Sequence, residues 1–368
     1  EMTSRGANDT LSFSYGPAFS FDHETDENEV DHRLLLRGDK NFTKALQASL
    51  RETYIQSSNT YIESETLQLA GERLIREINR KDRLWTNSIS LRMDYEYARE
   101  SIFSLGYAND ILGHLTNNSG NDDYRRHNPN TSLSYQFNNI WDVEAFYSFI
   151  KGDFDVSDDL KTHNPRIRLN YHHTPRSTIF LSYNFIDTNY SGTQQREDYK
   201  IHDLSIGIAH EVSSHTHISC SAGASRVDRS VYRTEDAFNL SFVLAKEMEK
   251  GALHIEGGGG FDQADFSGTN DGLSRYWSAR GSLNHQMTEK SNIDVFMGIR
   301  NDDYLERTTN AKETAYSFGG GISYIFARWF TLSLRYNYLQ LDTDDPTREY
   351  VDNRFYVALG AAKELWRW

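Results

Sequence analysis

The stretch NTSLSYQFNNIWDVEAFYSFI, residues 130–150, decides the fold. Its first half alternates Thr131, Leu133, Tyr135 and Phe137 with Asn130, Ser132, Ser134 and Gln136. After Asn138–Ile140 the alternation resumes, with Trp141, Val143, Ala145, Tyr147 and Phe149 set against Asp142, Glu144 and Ser148. Successive side chains of a strand point to opposite faces. A period of two therefore describes two strands, each with one apolar and one polar face, joined by a tight turn.

The same rhythm runs outward in both directions. Upstream it carries Phe13, Tyr15, Phe19 and Phe21. Downstream it carries Ile167/Leu169/Tyr171, Ile179/Leu181/Tyr183/Phe185, Leu204/Ile206/Ile208, Phe238/Leu240/Phe242/Leu244, Ile293/Val295/Met297/Ile299 and Phe330/Leu332/Leu334/Tyr336/Tyr338. A soluble strand is typically about five or six residues. These segments run to roughly 10–14, and a tilted strand needs about 9–11 to cross hydrocarbon. Connections alternate between short and long. Short ones such as Thr174–Ser177 and Glu247–Gly251 read as periplasmic turns, and long polar ones such as Asp22–Glu29, Asn109–Arg126 and Lys151–Thr162 as extracellular loops. Nine hairpins follow, hence an all-β, single transmembrane antiparallel β-barrel of about 18 strands with both termini periplasmic. Residues 1–9 read as an N-terminal periplasmic tail and 10–368 as the barrel. Residues 57–83 read as a long extracellular loop insertion; as two extra strands they would raise the count to about 20.

Composition agrees. With 39 basic and 53 acidic residues the net charge is −14, which argues against a nucleic-acid partner. A mean hydropathy of −0.69 is too polar for spanning helices but suits a barrel, where only alternate residues meet lipid. The 22 tyrosines and 20 phenylalanines fit aromatic girdles at two interfaces, and five prolines fit long unbroken ladders. Cys220 is the only cysteine, so the chain forms no internal disulfide and no thiol-rich metal site. Glu1–Asn8 holds no apolar signal-peptide core, which reads as a mature or trimmed chain.

Recurring Leu-x-Tyr strand centres (Leu105/Tyr107, Leu133/Tyr135, Leu169/Tyr171, Leu181/Tyr183, Leu334/Tyr336) join two Asn-Pro openings, Asn128-Pro129 and Asn164-Pro165. With the turn Thr174-Pro175-Arg176 and a terminal strand from Val351 to about Ala361, the chain from about residue 10 resembles the "beta-barrel porin 2" family of outer-membrane barrels. The resemblance implies a bacterial outer-membrane location and an association with exopolysaccharide export, or a barrel that sheathes a multihaem cytochrome. It supplies no catalytic residues.

By strand parity Arg92, Asp94, Glu144, Arg166, Arg168, His254, Glu256, Arg280, Asp294, Arg300, Arg335 and Arg354 point into the barrel. Both signs are mixed among Ser, Asn, Thr and Tyr. Such a pore lining tolerates a neutral hydrated solute such as a glycan, and no single-sign filter ring appears. A salt-bridged interior that only stiffens the wall is the other reading of the same residues. His210, His215, His217 and Cys220 read as turn histidines plus a lipid-facing thiol, and His172-His173 straddle two faces. Asp153, Asp155, Ser157 and Asp159 lack the glycine and terminal glutamate of an EF-hand and read as a solvated loop, like Asp22–Asp31 and Asp342–Asp345. The run Gly257–Gly260 lacks the Lys-Ser/Thr of a phosphate loop and marks a bend or a close backbone approach. With no Gly-x-Ser-x-Gly and no His-Glu-x-x-His, the expectation is a non-catalytic protein without cofactor or metal. It would be a porin-like channel for polysaccharide or another polar solute, in contact with outer-membrane lipid and lipopolysaccharide. Its further partners would be a periplasmic export protein or, on the alternative reading, a lumen-bound cytochrome or lipoprotein plug.

Overall fold

The computed structural model describes residues 2–5, 9–22, 27–57, 84–115, 122–192, 196–263, 265–266, 272–305, 312–344 and 349–361. The first strands are β1 (Met2–Arg5), β2 (Asp9–Asp22), β3 (Glu27–Asn41), β4 (Leu46–Ser57), β5 (Leu84–Ala98), β6 (Ser101–His114) and β7 (Tyr124–Gln136). Next come β8 (Trp141–Phe154), β9 (Asp159–Thr174), β10 (Ser177–Ser191), β11 (Tyr199–Ser213), β12 (Thr216–Arg229) and β13 (Glu235–Met248). The last are β14 (Gly251–Gln263), β15 (Leu273–Thr288), β16 (Ser291–Tyr304), β17 (Lys312–Ala327), β18 (Phe330–Thr343) and β19 (Tyr350–Ala361). All belong to one sheet, each paired antiparallel with its neighbours in sequence.

The eighteen long strands, β2–β19, meet the count expected from the alternation. The choice between 18 and 20 falls on residues 58–83, outside the described residues, as does the chain after Ala361. Within residues 1–9, read as a tail, Met2–Arg5 is instead a strand whose Arg5 lies opposite Thr10. That pairing satisfies part of the edge of β2 that faces away from β3, which is why so short a segment is ordered. The outer loops are shorter than read: β6 runs to His114 and β8 to Phe154. At these outer ends the pattern inverts, with apolar residues such as Leu112 and Ile150 inward and polar ones such as Asn109 and Lys151 outward, so the lipid-facing alternation ends while the backbone ladder continues.

The outward face is a band of apolar side chains. Leu91, Met93 and Tyr95 of β5 continue into Phe103, Leu105 and Tyr107 of β6, and Leu204, Ile206 and Ile208 of β11 repeat it; all are exposed. A contiguous apolar surface of this extent meets lipid, not water. Four Tyr–His hydrogen bonds sit on it at one level: Tyr15–His32, Tyr107–His127, Tyr147–His163 and Tyr183–His202, at 2.7–2.8 Å. Inward aromatics lie down on glycines. Phe180 stands cross-strand from Gly207 and Phe296 from Gly319, each where a Cβ would meet the ring. A ring laid over a strand restores the missing side chain and keeps out of the lumen.

One ladder breaks. β13 pairs with β12 along its whole length to Val227↔Glu235, but its pairing with β14 stops at Leu240↔Gly259. The break falls in the run Gly257–Gly260, where a Cβ on Gly257, Gly258 or Gly259 would lie 3.1–3.2 Å from backbone carbonyl oxygens, and Gly260 has φ 155°. Beyond it β14 keeps its pairing with β15 down to Gln263↔Leu273 and leaves the wall. The glycine run is a bend, as its composition suggested.

The two faces differ in what they tolerate. Ile206→Arg, in the middle of the lipid face, should destabilise the barrel by about 2–4 kcal/mol. Ser205→Arg, its neighbour on the inner face, should change stability far less. Urea unfolding in lipid vesicles measures both.

Candidate functional site

The site is the barrel interior. All twelve charged residues singled out from the sequence lie on the face opposite the apolar band, and the structure draws most of them into local networks. On β5, Arg92 Nε donates to Asp94 at 2.8 Å and its Nη2 reaches Ser104 of β6 at 3.1 Å. Glu144 of β8 stands opposite Arg168 of β9. Asn170 lies between the groups, donating to Glu144 at 2.8 Å and Asp142 at 2.7 Å while accepting from Arg168 at 2.8 Å. The Arg168 guanidinium lies 3.8 Å over Phe180, and that of Arg166 5.0 Å over Phe146. His254 meets Glu256 at 3.3 Å, and Glu256 stands opposite Arg280. Asp294 and Arg335 join at 3.0 Å across the intervening strand, where Gly321 lies between them. A Cβ there would come within 2.8 Å of the Asp294 carboxylate, so the glycine makes the bridge sterically feasible. Arg354 pairs with Asp352 at 2.7 Å.

The result, among the described residues, is an inner wall on which most of these charges are paired, although on β3–β4 Arg37 stands directly opposite Arg51. Paired side chains are held flat to the wall and present hydrogen-bonding edges rather than net charge. At the short-turn end a cavity of about 650 Å³ opens, lined in part by Ser134, Gln136, Asp142, Glu144 and His172. His172 also bonds Asp142 and Thr178, so it belongs to the lining and not to a pair with His173.

The long-loop end is different. Inward side chains there are apolar and buried: Leu84, Leu112, Tyr124, Ile150, Leu160, Tyr304 and Leu341. A core forms where Tyr199, Ile201 and Val227 meet Leu273, with Phe261 and Leu305 against it. Parity puts Phe261, Gln263 and Leu273 on the face that lower down meets lipid, yet they pack on inward residues of β10–β12. Gln263 even reaches Thr162 of β9 at 3.3 Å. The outer arm of β14–β15 is therefore folded inward together with the end of β16, to which β15 stays paired through Ser274↔Tyr304, with its outer face against the inner wall of β9–β12.

Buried charges hold the arm. Asp265, 0 % exposed, pairs with Arg196 at 2.7 Å and accepts a bond from Tyr190 at 2.9 Å. Phe266 packs on Tyr124 and Phe154, with the Arg126 guanidinium 5.0 Å from its ring centre. Arg126 is itself paired with Asp110 at 2.7 Å, and Arg229 with Glu197 at 2.8 Å while donating to the Leu305 carbonyl at 3.0 Å. Arg300, expected to line the pore, sits at this end, bonded to Asp262 and Asp302 at 2.6 Å and lying 4.4 Å over Tyr276. None of these loop contacts was foreseen. Asp265 and Phe266 stand in a polar loop with no periodicity, and their partners are 75 and 142 residues away.

The remaining candidates do not converge. His210 bonds Ser177, and His215 bonds Ser214, each at 2.8 Å near the short turns. Cys220 stands between Ile208 and Phe242 on the lipid face. Asp153 pairs with Lys151, and Asp159 accepts from the Phe154 amide, which ties the β8–β9 loop. Among the described residues no group of three or more His, Cys, Asp or Glu could hold a metal ion.

A sheet of eighteen long amphipathic strands, apolar outside and polar within, defines a bacterial outer-membrane β-barrel of porin-like build. Residues 262–363 match the family described as "Putative beta-barrel porin 2". No curated protein matches the chain. Among solved structures it is similar to the copper transporter OprC, at TM-score 0.55 and 9 % identity over 97 % of this chain and 66 % of that one. It is similar to the FrpB iron transporter of Neisseria meningitidis at TM-score 0.54 and 9 % identity, over 94 % of this chain and 64 % of that one. It is also similar to a mutant ferric enterobactin receptor of Pseudomonas aeruginosa at TM-score 0.53 and 8 % identity, over 96 % and 72 %. The chain thus spans about two thirds of the length of these transporters and receptors. At such identity the likeness is one of fold.

Removing the buried carboxylate tests how firmly the arm is held. Asp265→Ala leaves Arg196 and the Tyr190 hydroxyl without it and should cost about 3–5 kcal/mol of barrel stability. Denaturant titration of the refolded protein reads the change.

Proposed function

We propose that the protein is an outer-membrane channel for a polar, hydrated solute of sugar-like chemistry, working without catalysis. The observation that carries this reading is the inner wall itself. Most of the charges named above are paired locally, as in Arg92–Asp94, Arg168–Asn170–Glu144 and Asp294–Arg335. A wall of this kind offers many weak hydrogen bonds and aromatic–guanidinium edges but no strong field. It suits a neutral chain rich in hydroxyls, which must be held loosely enough to leave. A charged solute would call for a ring of one sign. Polysaccharide fits this description best, and the inward residues other than Arg300 serve as its lining.

The closed outer end supports a second reading. A barrel packed at its long loops, with a cavity at its short turns, is also a cup, able to sheathe a periplasmic partner such as a cytochrome or lipoprotein. Co-purification of a stoichiometric partner from native membranes would favour it.

Planar-bilayer recording of the purified barrel tests the first reading. Current steps that neutral oligosaccharides interrupt, with the block weakened in Arg168→Ala or Arg335→Ala, are expected. Current that no oligosaccharide touches would refute the solute class. Silence in both the native barrel and Asp265→Ala would refute the channel.

A further inference from the structure

We propose that the outer ends of β14–β16, which stay paired with one another, form a two-position gate whose free edge is β14 beyond Gly257–Gly260 and whose second position is the unpaired edge of β13. The closed position is the one described: Phe261, Gln263 and Leu273 packed on β9–β12, and Asp265 seated on Arg196 and Tyr190. It leaves β13 incomplete. Residues 235–239 pair with β12 but have no described partner on the β14 side, and Phe238 is 83 % exposed.

The register supplies the missing partner. Continuing Leu240↔Gly259 by one step at a time sets Asn239 opposite Gly260, Phe238 opposite Phe261, Ala237 opposite Asp262 and Asp236 opposite Gln263. In that arrangement Phe238 and Phe261 stand together on the lipid face, where strand parity already assigns both. The segment that fills the lumen thus carries the pattern of a wall strand, apolar outward at Phe261 and acidic inward at Asp262. Gly260 still lies beside β13, since a Cβ on it would be 4.0 Å from the Asn239 Cα, so zipping starts from contact. Two discrete packings of one segment are what a switch requires. Swung out, the arm completes the β13–β14 ladder and vacates the mouth; swung in, it buries Phe261 and the Asp265 ion pair at the cost of four backbone pairings.

The gating role rests on the channel reading above, whereas the motion does not, and paired cysteines separate them. In a Cys220→Ser background, Gln263→Cys with Thr162→Cys reports the closed position. Gln263→Cys with Asp236→Cys reports the open one, on strands that the described structure keeps apart at that level. Phe238→Cys with Phe261→Cys serves as a second open pair, and heat-modifiable gel mobility shows that each barrel is folded. Under mild oxidant we expect both kinds of pair to close, as loss of free thiols. Asp265→Asn should speed closure of the open pair by roughly tenfold or more, since a buried ion pair broken from one side loses its hold. Conductance should be lost in the Thr162 lock, present in the Asp236 lock, and return to the native pattern on reduction. Folded barrels in which the Thr162 pair closes and neither open pair does would overturn the proposal, because the arm would then be fixed. Equal, non-zero conductance in the two locks would overturn the gating role. Locks that both close in barrels that never conduct would uphold the motion and count against the channel.

Discussion

The structure depends on one constraint: in hydrocarbon, every backbone N–H and C=O must find a partner within the protein. An antiparallel meander meets it with the least chain, because each strand is satisfied by the strands before and after it in sequence. Among the described residues successive strands pair from β2 to β19, with steps left out beside Pro129 and Pro165 and a longer stop between β13 and β14, and even the four residues of β1 spend their hydrogen bonds on an edge of β2. Side chains are then free to serve two solvents. Alternation sends Leu, Ile, Phe and Tyr to lipid and Ser, Asn, Arg and Asp to the lumen. Glycines recur on the inner face where an aromatic ring or a cross-strand ion pair must lie close to the backbone.

Against that background the break at Leu240↔Gly259 stands out as a place where the constraint is relaxed. It lies in the outer part of the wall, where polar loops and interfacial water can satisfy a strand edge that lipid could not. Four consecutive glycines remove the side chains that would resist the bend. The arm that leaves the wall recovers burial inside the mouth. Wall and closure are therefore built from the same strands, and the closure is not a separate plug.

The wall was legible in the sequence and the closure was not. Period-two runs such as Leu133/Tyr135 and Trp141/Val143/Ala145 fix faces, lengths and the number of hairpins, because each strand's pattern is local. The inward residues followed from the same parity: Arg92, Glu144, Arg168, Asp294 and Arg335 all stand where alternation put them. What parity cannot give is distance across the lumen. Asp265 and Arg196, or Phe266 and Arg126, are joined by the curvature of the whole sheet and lie in stretches without rhythm. The histidines His127 and His163 carried a signal that went unread. Each precedes one of the Asn-Pro openings, and together with His32 and His202 they meet tyrosines six residues into their partner strands (9 to 15, 101 to 107, 141 to 147, 177 to 183).

The chemistry of the closed mouth also bears on why it is held by ions. Three ion pairs are buried there, Arg126–Asp110, Arg196–Asp265 and Arg229–Glu197. Burying a pair of charges gives little net stability, because desolvation offsets most of the attraction, although breaking the pair from one side is expensive. An apolar core of the same volume would close the mouth more firmly and yield less readily to water. Charges whose partners remain near the surface lose little when water replaces them. Tyr199, Ile201 and Val227 therefore set the fit of the mouth, while the ion pairs set its orientation, and closure is specific without being deep.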